Sequence, residues 1–134
     1  TNHVQISNSR EWTTIIEKKI TTDSSLVWVL ASFQNFYMGL NPTEASFQYC
    51  LAINGNQIAE TATGCTDRSN DLTGEGMYTN AHGFSLDAVV PVVPGENTFS
   101  LIAKLVADED YTTFDSSTKA CQIFNRELIL VEMR

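Results

Sequence analysis

Apolar residues recur at every second position along most of this chain, and that period is the period of β-strands. Ser46 to Ile53 carries it most cleanly: Phe47, Tyr49, Leu51 and Ile53 share one face, and Ser46, Gln48, Cys50 and Ala52 the other. Asn54-Gly55 follows at once and Gln57 to Thr63 resumes the pattern. A tight hairpin is predicted there, because both turn residues tolerate positive φ. Thr98 to Val106 points Phe99, Leu101, Ala103 and Leu105 inward. Trp12 to Ile20 is mixed, with Trp12, Thr14, Ile16, Lys18 and Ile20 on one face, and its threonine and isoleucine content favours a strand over a helix. Leu26 to Ala31 is continuously apolar, as expected of a strand covered on both faces, and it runs on through Phe33, Phe36, Tyr37 and Met38. Trp28 is accordingly expected in the core, and Trp12 with it.

Phe84 to Val90 is the next strand, followed by a bend and turn at Pro91 and Pro94-Gly95. Gln122 to Phe124 and Glu127 to Met133 form the last strand, broken at Asn125-Arg126. Between these runs, Gly64 to Gly83 and Ala107 to Ala120 lack a core pattern and read as polar loops, the first holding a short strand at Met77-Tyr78-Thr79. The sum is about eight strands at the turn spacing of a sandwich or barrel. The expectation is one all-β domain over residues 1–134, an antiparallel β-sandwich of jelly-roll or Greek-key type.

Composition narrows the partners. The 134 residues are 43% hydrophobic, enough for a core, and no apolar run approaches the length of a membrane helix. A net charge of −8 repels phosphate backbones, so nucleic acid is not an expected partner. Charged residues are only 18% of the chain, and the strands are rich in threonine, serine and asparagine, which suits packing against copies of itself. The cysteines, Cys50, Cys65 and Cys121, match no zinc spacing. Cys65 and Cys121 border polar loops and are the disulfide candidate; one bridge with a free thiol and three reduced thiols both fit the count.

The order of strands and turns resembles the jelly-roll domains of the tumour-necrosis-factor and complement-C1q type, found also in bacterial and phage extracellular proteins. The resemblance rests on the Trp12 strand, the alternating strand and turn from Phe47 to Gly55, the strand from Val92 to Leu101 with its Pro-Gly turn, and the ending Arg126 to Glu132. It implies a non-enzymatic module that trimerises through an apolar flank and presents loops to receptors, glycans or neighbouring subunits. It carries over no catalytic residue.

Reaction chemistry is thin. A hydrolase triad has only His3 and His82 to draw on, and there is no Gly-x-Ser-x-Gly. Among the acids, Glu44, Glu60 and Asp87 lie near strands, but nothing pairs two of them as a glycosidase requires. No cofactor is expected. Calcium is the metal the loops would suit, through Asp108, Asp110 and Asp115 or through Asp67, Asn70, Asp71 and Glu75, although neither cluster follows a calcium-loop motif. Tyr111 and Phe114 sit among those carboxylates, and with Tyr78 they are the candidate platform for a sugar or a partner's groove. Phe33, Phe36, Tyr37 and Met38 are a candidate subunit contact.

The resulting expectation is a non-enzymatic structural or interaction module, extracellular or on a virion surface. It would assemble as a homo-oligomer (a trimer, filament or shell) and hold its loops toward a partner. A carbohydrate-binding module or lectin is the alternative, and a hydrolase the third.

Overall fold

The computed structural model describes residues 3–6, 11–39, 44–68, 78–108 and 119–133. Among them the chain forms nine strands: β1 (His3–Ile6), β2 (Thr13–Thr22), β3 (Leu26–Gly39), β4 (Glu44–Ile53), β5 (Asn56–Gln57), β6 (Thr63–Arg68), β7 (Tyr78–Pro91), β8 (Gly95–Asp108) and β9 (Lys119–Met133). A single 3-10 turn, Ala59–Thr61, interrupts them. All pairings are antiparallel. They build two sheets: sheet A in the order β1-β9-β3-β7, and sheet B in the order β2-β8-β4-β5, with β6 also on β4.

Apart from β4, β5 and β6, every consecutive strand changes sheet. This is the jelly-roll β-sandwich expected from the pattern. The predicted hairpin is present and does not disturb it. Asn54 and Gly55 both take positive φ, 50° and 82°. They return the chain along β4 as β5, the 3-10 turn and β6, which together act as one interrupted edge strand.

The core lies between the sheets. Sheet A contributes Val27, Val29, Ala31, Phe33, Leu86, Val90, Ile123 and Leu128; sheet B contributes Ile15, Phe47, Tyr49, Leu51, Phe99, Leu101 and Ala103. Phe33, Tyr49 and Phe84 form an aromatic group with ring centres 4.8 to 5.2 Å apart. Phe33 is therefore interior rather than a subunit contact. Buried Asn35 donates through Nδ2 to the Tyr49 hydroxyl at 2.6 Å, which supplies the polar partner both groups need away from water.

Two further corrections concern the tryptophans. Trp12 is half-buried outside sheet B, where it packs on Cys50, Ala52 and Ile102 with the Lys104 ammonium 4.6 Å from its ring centre. Trp28 is not core: it stands on the outer face of sheet A.

The polar loops are shorter than the sequence pattern suggests, because β6, β7, β8 and β9 extend into them. The break at Asn125-Arg126 is a bulge, with Asn125 at φ 51°.

Candidate functional site

Strand β3 exposes the site, and its neighbours complete it. Val27, Val29 and Ala31 point into the core, so the alternate residues Leu26, Trp28 and Leu30 point out. The register seats Leu26 between Pro91 and Met133, Trp28 between Val89 and Val131, and Leu30 between Asp87 and Ile129. The outer face of sheet A thus carries two adjacent apolar rows and a third, Leu30 with Ile129, that ends in Asp87. Leu26, Trp28, Ile129, Val131 and Met133 are each 38–40% exposed, and Val89 is 50% exposed.

Beyond Leu30 the same face turns polar, with Ser32 between Ser85 and Glu127. There Asn125 Nδ2 donates to Gln34 Oε1 at 2.6 Å. At the seam between the two halves, Trp28 Nε1 donates to Asp87 Oδ2 at 3.0 Å. The bond fixes the indole over its neighbours and satisfies its only polar atom, so what remains exposed is apolar ring. Six such side chains leave on the order of 500 Å² of apolar surface, in the range of the largest patch a soluble monomer carries.

The β1 side of sheet A has a second notable feature. Among the described residues β1 pairs with Cys121 to Phe124 of β9. From Glu127 to Met133, β9 is bonded to β3 on one side, and no described strand lies on the other. Two side chains cross between the sheets here: Lys18 Nζ donates to the Leu128 carbonyl at 3.0 Å, and Arg126 donates to the Ile15 carbonyl at 3.1 Å.

The residues singled out by sequence lie elsewhere. Tyr111, Phe114, Asp110 and Asp115 fall outside the described residues, as do Asn70, Asp71 and Glu75. Tyr78 is the first residue of β7, opposite Gly39 of β3; Asp108 is the last of β8, opposite Ala45 of β4. The strand ends Gly39, Glu44, Arg68, Tyr78, Asp108 and Lys119 all lie at one end of the sandwich, joined in register across each sheet. Both predicted loops therefore start and finish at that end, opposite the apolar patch. Asp108 and Asp67 flank Ala45 in register. Among the described residues no group of three or more histidine, cysteine or acidic side chains is placed to hold a metal ion. Cys65 lies on β6 in sheet B and Cys121 on β9 in sheet A, while Cys50 is a buried free thiol.

Sequence reasoning missed the outer face of sheet A. The available signal was the pair of unbroken apolar runs, Leu26 to Ala31 and Leu128 to Val131, which prove to be neighbours in one sheet.

No family model and no curated protein matches the chain. Among solved structures it is similar to the C-terminal domain of EclA, described as a sugar-binding protein, with 11% identity over 98% of this chain and 78% of that one, at a TM-score of 0.50. At that identity the likeness is one of fold, the all-β sandwich. No helix among the described residues is long and apolar enough to cross a membrane.

Proposed function

We propose that this chain is a non-enzymatic interaction module that associates with copies of itself through the outer face of sheet A. Its opposite end then presents the segments between β6 and β7 and between β8 and β9 to a partner. One observation carries the reading: β3 is written in sequence as a strand covered on both faces, yet one face stays open in a single copy. Tryptophan at the centre of such a surface, ringed by aliphatic side chains, is the composition of an interface hot spot. The association fits the apolar flank implied by the resemblance to tumour-necrosis-factor and complement-C1q domains. The setting proposed with it is extracellular or on a virion surface, with no cofactor required.

The test is the mass in solution of the intact chain and of Val89→Lys, measured by sedimentation. Val89 is half exposed, so the lysine leaves the fold intact. The expected result is an oligomer for the native sequence and a shift to monomer for the variant. A native chain that sediments as a monomer at all concentrations defeats the proposal.

A second reading, carbohydrate binding, is favoured by the Trp28 ring beside the Asp87 carboxylate, since an aromatic face next to a hydroxyl-binding acid is suited to a pyranose. The sugar-binding description of the EclA domain points the same way. Tyr78, Tyr111 and Phe114 remain the alternative platform, and calcium a candidate aid at Asp108, Asp110 and Asp115. Glycan-array binding lost in Trp28→Ala would place the sugar on the sheet; loss in Tyr111→Ala and Phe114→Ala would place it at the loop end.

A further inference from the structure

We propose that Asn54 is a site of non-enzymatic deamidation, that the folded turn holds the reaction back, and that conversion to aspartate or isoaspartate unclips the β4–β5 turn from β8. The reaction needs no second copy and no sugar.

The chemistry begins in the sequence. Asn54-Gly55 is the one Asn-Gly pair in the chain. The Gly55 amide nitrogen can attack the carbonyl carbon of the Asn54 side chain, because glycine has no Cβ to hinder the approach. The new N–C bond closes a five-membered succinimide. The side-chain nitrogen leaves as ammonia and takes the Gly55 amide proton with it. Water then adds to either ring carbonyl and reopens the ring, giving aspartate or isoaspartate. No oxidant, metal or enzyme enters the balance. Both residues are exposed, so water reaches the turn.

The structure shows what the amide does before it reacts. Asn54 N donates to the Thr98 carbonyl at 2.8 Å, and Asn54 Oδ1 accepts the Thr98 N–H at 2.8 Å. Together these bonds copy the exchange that a strand residue makes with its partner. Asn54 thereby carries the β4–β8 ladder one residue past the pair Ile53 and Phe99. The side-chain carbonyl stands in for a main-chain one at a residue whose φ of 50° has already left the strand.

Aspartate could make both of those bonds. The amide nitrogen makes a third: Asn54 Nδ2 donates to Asn97 Oδ1 at 2.9 Å. Asn97 is buried, and its own Nδ2 donates to the Val93 and Gly95 carbonyls at 2.9 and 3.4 Å. After deamidation a carboxylate oxygen faces Asn97 Oδ1, acceptor against acceptor. Flipping the Asn97 amide gives no relief, since its oxygen would then meet the two carbonyls. The relay of amides runs in one direction only and needs nitrogen at position 54. Deamidation breaks it at its exposed end and loosens the turn that carries exposed Val93.

The same bonds protect the site. Both polar atoms of the side chain are engaged with β8, so its carbonyl carbon reaches the Gly55 nitrogen only when the turn opens. The rate then follows the population of the open turn.

The experiment incubates the whole chain at mildly alkaline pH, one sample folded in buffer and one unfolded in urea at the same pH and temperature. Mass spectrometry of the peptide spanning Asn54-Gly55 counts the gain of one dalton, and an isoaspartate assay confirms the product. In the unfolded sample Asn54 should convert before any other asparagine. In the folded sample it should convert at least about tenfold more slowly. Equal rates overturn the protection, and conversion that starts at another asparagine overturns the site. Asn54→Asp, at an exposed turn position, isolates the consequence. It should melt about 2–6 °C below the parent, the shift expected from roughly one neutral hydrogen bond at this chain length. A melting point within about 1 °C of the parent, or above it, overturns the unclipping.

Discussion

Replacing Thr61 by valine should destabilise this fold by about 2–4 kcal/mol through one hydroxyl group, since a buried donor left unpaired costs about 1–3 and a lost neutral bond about 1. Thr61 is buried at the end of the 3-10 turn. Its Oγ1 accepts the Leu51 N–H at 3.0 Å and donates to the Ile58 carbonyl at 2.6 Å. Leu51 is fully buried on β4, so its N–H has no access to water once the hydroxyl is gone. The Ile58 carbonyl keeps the Thr61 N–H at 2.9 Å, so the larger loss falls on Leu51. Valine has the shape of threonine, and the change opens no cavity. Thr61→Ser is the control: it keeps both bonds and gives up one methyl group, worth about 1 kcal/mol. Urea unfolding of the three proteins at one concentration measures the differences, with the slope m expected to be constant. In a thermal scan the valine variant should melt roughly 10 °C lower. A valine variant within about 0.5 kcal/mol of the parent, the ordinary spread of a neutral surface change, would refute the reasoning. A serine variant less stable than the valine would refute it too.

Other outcomes follow from the same coordinates. Gly64→Ala would place a Cβ 2.6 Å from the Phe47 carbonyl oxygen, so β6 must move off β4, and urea titration should show a loss of about 1–3 kcal/mol. Gly55→Ala strains a turn position at φ 82° and should lose about 1 kcal/mol in the same assay. Tyr49→Phe removes the acceptor of Asn35 Nδ2 from the buried core and should lose about 1–3 kcal/mol with the sheet signal in circular dichroism unchanged. Trp28 emission should shift to shorter wavelength as concentration rises and the outer face of sheet A becomes covered; a shift that survives in Trp28→Phe would assign it to Trp12 instead.

The sequence was most legible where burial is one-sided. Phe47, Tyr49 and Leu51 alternate because one face of β4 meets the core, and the Asn54-Gly55 turn announces itself by the φ values it requires. The bulge at Asn125 was readable as an interruption in an otherwise apolar strand. What alternation does not encode is which strands are neighbours. Cys65 and Cys121 both look loop-bordering in sequence but stand in different sheets. Trp28 misled for a different reason: a run without alternation reads as a strand covered on both faces, whereas the outer face of sheet A leaves Trp28 38% exposed. Lys18 shares a face with Ile16 and Ile20 in the pattern, and alternation alone does not encode its bond to the Leu128 carbonyl across the gap.

The position of β9 sets how this molecule must come into being. β9 lies between β1 and β3, and it joins β3 across about a hundred residues of sequence. Little of sheet A can be completed before β9 is made, because β9 follows every other described strand and joins β1 to β3. Folding should therefore be slow, on the millisecond-to-second scale of chains dominated by distant pairings. During that wait the apolar strand Leu26 to Gly39 has β7 on one side and nothing on the other, which is the interval in which a chaperone would matter most.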